Sequence, residues 1–385
     1  MIIVPNHSVY RRGHFIALEV AEVDLIEALH KDGEQVAIAA FEETAPDTSM
    51  QGRLPIGDGI AFAKLNVVPH SGRMLSKVLN YLSTVLAVPF RLGRERFTYV
   101  FCPGHCAVIV CLWAIALKLN YGLYVRGTWL KQDGSTSWVW RTIFQHALFI
   151  ITTGEAFQKR LLVLNRNVVN ERPLTKFDLH EPGEECRRRS IRIRKFIFVG
   201  RVTESKGILD VIKAIERIRN EHEQDIRLVV AGGGTIEEEG LLRKTIHECG
   251  VTDYVSWLGN VTEFEKLREC YISADAFVFP TYYPEGFPRV LYEAMMFSLP
   301  IITTDLPATH GFLSSERNCL ICKPKDPRDL TTCMLRFIRA PQFAAKLGEA
   351  GYKDVCALFN SFEYSSHAGA ISSLVKRLIP LTAVP

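Results

Sequence analysis

The chain has 385 residues, more than the ~100–200 of a typical domain, so its length predicts two domains and excludes a single small module. A hydrophobic fraction of 48% and a charged fraction of 23% are those of a folded chain and exclude a disordered one. A net charge of +4 is too small for the basic surface of a nucleic-acid binder, so we expect no nucleic-acid partner.

Strand-like and helix-like runs alternate along the first half of the chain, which predicts a parallel sheet with crossover helices. The series opens with a strand at 2–5, a helix at 15–30 and a strand at 35–39, and continues with strands at 99–102, 121–125 and 148–152. Residues 1–175 are therefore predicted to form one Rossmann-like domain.

Features of the whole chain argue against membrane-spanning and secreted classes of protein. Its longest apolar run, Cys106–Leu117, is shorter than the ~20 residues of a spanning helix. Residues 1–5 do not resemble a signal peptide, and ten scattered cysteines are typical of reduced thiols rather than of a disulfide framework. We therefore expect a cytoplasmic protein.

Residues 74–90 carry leucines and valines at helical spacing between basic residues, among them Arg73, Lys77 and Arg91. Such a segment could lie on an anionic membrane surface, which would make the protein peripheral on the cytoplasmic face. The alternative is a helix that faces the core and has ordinary basic flanks.

Residues 176–194 are predicted to be a linker, because an acidic run followed by a basic run replaces the apolar residues there. A second alternating series follows, with strands predicted at 196–199, 228–231, 254–258, 276–279, 301–303 and 319–321. It predicts a second parallel-sheet domain over 195–365 and a C-terminal helix, 366–385, that packs back on the first domain. Two such α/β domains suit a ligand held at the carboxyl ends of their strands.

The stretch 279–295 carries the first candidate site. Pro288 suits the first position of a helix, because its missing N–H costs nothing there, so a helix is predicted from about Phe287. The amides of Gly286 and Phe287 could then bind an anion such as a diphosphate.

Two carboxylates belong to the same stretch. Glu285 lies at the start of the predicted helix and Glu293 two turns further on. Carboxylates accept hydrogen bonds from sugar and ribose hydroxyls, so the pair could contact both ends of a nucleotide sugar. The alternative is that Glu285 complements the helix dipole and Glu293 is a solvated helix residue.

The stretch 196–207 carries the second candidate site. A strand ends at Gly200, and Arg201 and Lys206 flank a helix predicted to begin near Ile208. The two basic side chains could neutralise a diphosphate without a metal. Two exposed loop charges are the alternative.

Residues 196–325 resemble the donor domain of glycosyltransferase family 4. The resemblance rests on the Gly-Arg-x4-Lys-Gly loop at 200–207, the glycine turn at 231–234, the Leu-Gly pair at 258–259 and the E-x7-E pair formed by Glu285 and Glu293. It implies the GT-B fold, two Rossmann-like parallel-sheet domains facing a central cleft. It also implies a retaining transferase that uses a nucleotide-activated sugar.

The resemblance further implies roles for individual residues. Arg201 and Lys206 would contact the donor diphosphate, Glu285 the transferred sugar and Glu293 the ribose. Gly200, Gly286 and Phe287 complete the donor-binding loops, and residues near Leu258 would set the choice between UDP and GDP.

The amino-terminal half matches the family less well. It has Arg11-Arg12-Gly13-His14 where the family often has a Gly-Gly turn. Gly13 could still bring its amide to a phosphate, while Arg11 and Arg12 would contact acceptor or membrane. An ordinary loop is the alternative.

His105 follows a predicted strand at the place where many family members carry a histidine that hydrogen-bonds the donor sugar. A histidine at a helix start without a ligand is the alternative. At 126–129 the sequence Arg-Gly-Thr-Trp departs from the His-Gly pair common in the family, which predicts a different acceptor pocket.

Other motifs argue against further chemistries. Cys319 and Cys322 have metal-ligand spacing, but residues three apart on a strand point to opposite faces and no second pair completes a zinc site. The glycines at 232–234 do not form a dinucleotide fingerprint, and no phosphate-binding P-loop is present. Hydride transfer and NTP hydrolysis therefore lose support, and neither a metal nor a cofactor is expected.

The resemblance implies a retaining glycosyltransferase of the hexosyltransferase type. It would move a sugar from a UDP- or GDP-sugar to a glycan or lipid-linked acceptor in cell-surface polysaccharide or lipopolysaccharide biosynthesis. Two alternatives stay open: a non-catalytic nucleotide-sugar-binding subunit of a glycan-assembly complex, and a GT-B nucleotide-sugar epimerase.

Overall fold

The computed structural model describes most of the chain, and the chain divides into two compact units. The first contains Met1–Lys176 and Phe362–Pro385, and the second contains Phe177–Ser361. The described residues are 1–5, 9–12, 15–18, 20–40, 42–43, 52–57, 59–65, 85–90, 97–104, 106–126, 129, 136–171, 173–175, 177, 192–261, 263–283, 287–361 and 366–379. The predicted linker boundaries stay a prediction, since 178–191 lie outside these ranges.

A seven-stranded parallel sheet forms the centre of the first unit, in the order β11-β10-β9-β8-β1-β4-β7. Its central strands are buried along their whole length, as expected for a parallel sheet covered on both faces. The strands are β1 (Ile2–Val4), β4 (Val36–Ala40), β7 (Ile60–Lys64), β8 (Thr98–Cys102), β9 (Tyr121–Val125), β10 (Phe149–Thr152) and β11 (Val168–Asn170).

A four-stranded sheet, in the order β5-β2-β3-β6, accompanies the large one. Its strands are β2 (Val9–Arg12), β3 (Phe15–Leu18), β5 (Glu42–Glu43) and β6 (Gly52–Pro55). The prediction of a continuous helix over 15–30 was therefore wrong. Phe15–Leu18 instead forms β3, which pairs antiparallel with both β2 and β6. This non-local pairing outweighs the local helical pattern.

The helices of the first unit include α1 (Val20–Lys31), α2 (Ala107–Ala116), α3 (Trp138–His146), α4 (Glu155–Leu162) and a short helical segment at 85–90. The C-terminal helix, His367–Leu378, also belongs to this unit and packs on α1. Its Ala370, Ile371 and Leu374 are fully buried in the unit's hydrophobic core. None of the helices within the described ranges is long and apolar enough to cross a membrane.

A six-stranded parallel sheet forms the centre of the second unit, in the order β14-β13-β12-β15-β16-β17. The strands are β12 (Lys195–Val199), β13 (Arg227–Ala231), β14 (Val255–Trp257), β15 (Ala276–Phe279), β16 (Ile301–Thr304) and β17 (Leu320–Cys322). The helices are α5 (Ile208–His222), α6 (Ile236–Glu248), α7 (Phe264–Ile272), α8 (Arg289–Met296), α9 (Pro327–Arg339) and α10 (Pro341–Ser361).

The strand order of this sheet reverses at β12. The chain runs from β12 outwards through β13 to β14, then returns to the other side of β12 and runs outwards from β15 to β17. In open α/β sheets, ligands bind outside the carboxyl ends of the strands at such a switch point. The loops that follow β12 and β15 are therefore where a ligand of this unit is expected.

Candidate functional site

The loop after β12 is shaped by two glycines with positive φ, Gly200 at 148° and Gly207 at 79°. A short 3-10 turn, Glu204–Lys206, lies between them, and α5 begins at Ile208 as predicted. A Cβ added at Gly207 would meet the backbone carbonyl of Pro280. This position therefore requires glycine both for its backbone conformation and for the close approach of the next loop.

Arg201 projects from this loop with its side chain 66% exposed. Its Nη2 lies 3.4 Å from Oε2 of Glu238, a residue in the first turn of α6. The same Glu238 oxygen accepts a hydrogen bond from the amide of Thr235, completing the capping box of that helix. The guanidinium group is therefore held beside a helix N-terminus and faces solvent.

Lys206 lies beside the aromatic rings of the neighbouring strand and loop. Its Nζ is 5.5 Å from the ring centroid of Phe279 and 5.0 Å from that of Tyr283. Both distances fall within the range of cation–π attraction. These contacts keep the ammonium group at the carboxyl end of β15.

The loops after β12 and β15 are joined by hydrogen bonds. The amide of Tyr282 donates to the carbonyl of Ser205 at 2.9 Å, and Oγ1 of buried Thr281 donates to the same oxygen at 3.3 Å. The structure thus brings the loop of Arg201 and Lys206 against residues 280–283, which lead into the E-x7-E stretch.

Helix α8 begins at Arg289, and Pro288 is its N-cap with an extended ψ of 119°. The predicted helix is present and begins two residues after its approximate predicted start, whereas the prediction of Pro288 at the first helical position was wrong. A residue that precedes proline is disfavoured in the helical region, which keeps Phe287 outside the helix. The Phe287 ring is buried and stacks on Tyr292, with ring centroids 4.0 Å apart. Glu285 and Gly286 lie outside the described residues.

Glu293 is buried, with only 6% of its surface exposed. The interpretation of a solvated helix residue is therefore wrong. Its Oε2 accepts a hydrogen bond of 2.8 Å from Oη of Tyr271, a fully buried residue of α7. Burial and the neighbouring Glu293 carboxylate raise the pKa of Tyr271 well above its ordinary value, so the phenol remains a donor.

The glycine turn after β13 is attached to the loop after β12 and to the segment after β14. The amide of Gly232 donates to the carbonyl of Gly259 at 2.8 Å, and the amide of Val202 donates to the carbonyl of Gly233 at 3.1 Å. The glycine turn after β13 is thus linked both to the loop of Arg201 and to the segment after β14. Leu258, the residue predicted near a nucleobase, is 40% exposed on that segment.

Sequence reasoning missed Tyr271, Glu238 and Tyr283 at this site. The first two lie 22 and 37 residues from the partners that they hydrogen-bond, and no local period relates such positions. Tyr283 was visible only as part of a turn rich in Pro and Tyr.

In the first unit, the predicted residues Gly13, His105, Gly127 and Thr128 lie outside the described residues. Arg11 and Arg12 lie on strand β2 rather than in a turn.

Two of the residues at 126–129 serve the packing of the first unit. Nη2 of Arg126 pairs with the buried carboxylate of Glu22 at 3.3 Å. Trp129 is buried against the rings of Phe144 and Phe157.

Cys319 and Cys322 are both buried in the second unit. Burial raises the pKa of the Cys319 thiol to about 12 and that of Cys322 further. Within the described ranges, no three His, Cys, Asp or Glu side chains cluster closely enough to hold a metal ion.

The two parallel-sheet units define the class of the fold. The chain is similar to sucrose-phosphate synthase from Thermosynechococcus elongatus, with a TM-score of 0.72 and 18% identity over 98% of both chains. It is also similar to HepE of Anabaena in complex with UDP, with a TM-score of 0.67 and 14% identity over 98% of this chain and 99% of that one. The α/β GT-B fold predicted from the sequence is thus confirmed.

Sequence comparison finds one matching family model and a protein of similar sequence. Residues 191–354 match the family model of glycosyl transferases group 1. Over 185 residues the chain is 31% identical to an uncharacterized glycosyltransferase of Methanocaldococcus jannaschii, an alignment that covers 46% of each protein. The chain thus spans about half the length of this relative, and the family match falls on the second unit.

Proposed function

We propose that this protein is a retaining glycosyltransferase that uses a nucleotide-sugar donor. The observation that carries the proposal is the junction at Ser205, where the loop of Arg201 and Lys206 is hydrogen-bonded to residues 281–282 at the switch point of the sheet. The family match over 191–354 covers both loops.

The donor diphosphate is bound at this junction. Arg201 offers a planar fork to phosphate oxygens, and Lys206 offers a compact charge held beside Phe279 and Tyr283. Glu293 accepts hydrogen bonds from the ribose of the nucleotide. The HepE structure was solved in complex with UDP, which favours a UDP-sugar among the two donor classes predicted from the sequence.

In the reaction, the bond between the anomeric carbon and the donor phosphate oxygen breaks, and the acceptor hydroxyl oxygen bonds to the same carbon. The departing phosphate takes the acceptor proton on the same face, so the anomeric configuration is retained. Arg201 and Lys206 stabilise the negative charge that develops on the leaving group. Since two basic side chains carry this task, we propose that turnover does not require a metal ion.

Two further residues and the acceptor complete the proposal. From the resemblance of the sequence, we propose that Glu285 and His105 contact the transferred sugar and that Gly13 contributes a backbone amide to phosphate binding. The acceptor is a glycan or a lipid-linked glycan of cell-surface polysaccharide or lipopolysaccharide assembly.

The test is a screen of the purified protein against UDP-glucose, GDP-mannose and ADP-glucose by thermal shift and nucleotide release, with Glu293→Ala as control. We expect one donor to raise the melting temperature, to be hydrolysed slowly and to lose both effects in the control. Release of a free, epimerised sugar would identify an epimerase instead. Binding without nucleotide release in the presence of acceptor glycans would identify a non-catalytic subunit, and the absence of any response would contradict the proposal.

A further inference from the structure

The hydroxyl of Tyr271 and the carboxylate of Glu293 form a buried contact between two helices. Tyr271 lies on α7 and Glu293 on α8, and the Oη–Oε2 distance is 2.8 Å. The two side chains are 0% and 6% exposed. Neighbouring residues of α8, including Leu291, Ala294 and Met295, are apolar and fully buried. A carboxylate among them is costly to bury, which indicates that position 293 serves more than packing.

The Tyr271 ring is fixed by its aromatic neighbours. It stacks in parallel on Phe297, with centroids 5.1 Å apart and an interplanar angle of 3°. Phe177 meets it edge-on at 5.7 Å, and Phe277 lies 6.1 Å away. The position of Oη is therefore set by packing before any ligand arrives.

We infer that Tyr271 is a positioning residue that holds the Glu293 carboxylate oriented for the ribose hydroxyls of the donor nucleotide. The inference rests on the proposed function, in which Glu293 binds the ribose. A glutamate side chain has several rotatable bonds, and ordering it on binding would lower the affinity for the ligand. Tyr271 orders one carboxylate oxygen in advance, and a carboxylate offers about four acceptor sites on its two oxygens, so it can accept several hydrogen bonds at once.

The test uses Tyr271→Phe, which removes only the hydroxyl, and compares the affinities of UDP and 2′,3′-dideoxy-UDP by calorimetry, with the GDP and ADP pairs measured in the same way. We expect the variant to bind the ribonucleotide about 10-fold more weakly, because a hydrogen bond to a charged group is lost. Its affinity for the dideoxy nucleotide should equal that of the wild type.

The matched control is Tyr121→Phe. Tyr121 is also a buried tyrosine, and its Oη donates to the carbonyl of Ile143 at 2.6 Å in the first unit. Tyr121→Phe should lower the melting temperature about as much as Tyr271→Phe does. It should leave the affinities for UDP and 2′,3′-dideoxy-UDP unchanged.

A second comparison tests whether Tyr271 acts through Glu293. In a Glu293→Gln background, Tyr271→Phe should weaken UDP binding no further.

The outcomes separate the two hypotheses. If the wild type binds none of the nucleotides, the proposed function fails and the inference fails with it. If the wild type binds and Tyr271→Phe has no effect, or weakens both nucleotides equally, only the positioning role is overturned. Additive losses in the double variant would overturn it as well.

Discussion

Arg201 and Lys206 offer two different kinds of positive charge at the carboxyl end of β12. Arg201 is exposed and paired at 3.4 Å with Glu238, and exposed pairs of this kind contribute only about 0–1 kcal/mol. A phosphate can therefore replace Glu238 as the partner of the guanidinium group at little cost. The ammonium group of Lys206 lies beside the rings of Phe279 and Tyr283, and both cation–π contacts keep it near the carboxyl end of β15.

We expect Arg201→Ala and Lys206→Ala each to lower kcat by about 10²–10³-fold, since each removes a charge that stabilises the leaving diphosphate. The fold should persist, because Arg201 is exposed and its ion pair is weak. Initial rates of nucleotide release and circular dichroism spectra check both statements.

Lys244→Ala is the control for these two variants. Lys244 is 68% exposed on the same unit and pairs at 3.7 Å with Glu248 four residues further along α6. Its replacement should leave turnover unchanged. Near-normal turnover in Arg201→Ala or Lys206→Ala would contradict the role assigned to that residue.

At the scale of the elements, the site depends on how closely the loops after β12 and β15 approach each other. Gly207 combines a φ of 79° with a Cβ position that the Pro280 carbonyl occupies. Gly207→Ala should therefore lower the free energy of unfolding by about 1–3 kcal/mol and weaken nucleotide binding, because the two loops must separate. Urea denaturation and calorimetric titration measure the two effects.

Gly240→Ala is the matched control for that substitution. Gly240 lies inside α6, and a Cβ added there meets nothing within 4 Å. Alanine is the better helix former, so we expect a stabilisation of about 0.5–1 kcal/mol with unchanged binding. Equal effects at the two glycines would show that the close approach at Gly207 is unimportant.

The helical segment at 85–90 is where the predicted membrane contact can be tested, since residues 74–84 lie outside the described ranges. Val88 is buried, whereas Leu86 and Phe90 are 71% and 80% exposed. If this face enters a bilayer, replacing both exposed residues by serine should lower binding to anionic phosphatidylglycerol vesicles by at least about 10-fold. Vesicle flotation is the measurement.

Val163→Ser serves as its control, because Val163 is an equally exposed apolar residue of the same unit, at 84%. It should leave flotation unchanged. A wild-type protein that does not float with anionic vesicles would favour the alternative of a core-facing helix.

At the scale of the whole molecule, the first unit is built from two stretches of chain. Along the sequence, the residues of the second unit lie between these two stretches. The C-terminal helix contributes His367, which is 4% exposed, to the first unit. Its Nε2 is 2.8 Å from Oη of Tyr99, and its ring meets that of Tyr124 at 4.5 Å. Among the residues that the structure describes, none hydrogen-bonds its Nδ1. Burial, and secondarily Arg126, lower the pKa of His367 from 6.5 to about 3.

This lowered pKa predicts a loss of stability in mild acid. Between pH 3 and 6.5 the unfolded chain binds a proton at His367 that the folded chain does not, so stability is full above pH 6.5 and falls below it. From pH 7 to pH 5 this residue should cost about 2 kcal/mol. Urea denaturation of His367→Gln should show a pH dependence flatter by that amount.

His146→Gln is the matched control, since His146 is an exposed histidine on α3 of the same unit. It should retain the slope of the wild type. A slope in His367→Gln equal to that of the wild type would show that the buried imidazole does not govern acid stability.

The sequence by itself determined the α/β class and most of the strands. The strands at Tyr121–Val125 and Ala276–Phe279 were predicted to the residue, because a strand buried on both faces is a short apolar run with turn residues at its ends. The start of α5 at Ile208 was equally clear, since Gly207 interrupts the pattern just before it.

Only the tertiary structure decided the surroundings of the site residues. Local periodicity cannot show that Glu293 is buried under Tyr271, that Arg201 pairs with Glu238, or that Phe15–Leu18 is a strand. Each depends on a partner brought close by packing of distant elements. Side-chain types and their spacing are local properties of a chain, whereas burial and pairing are properties of the folded whole.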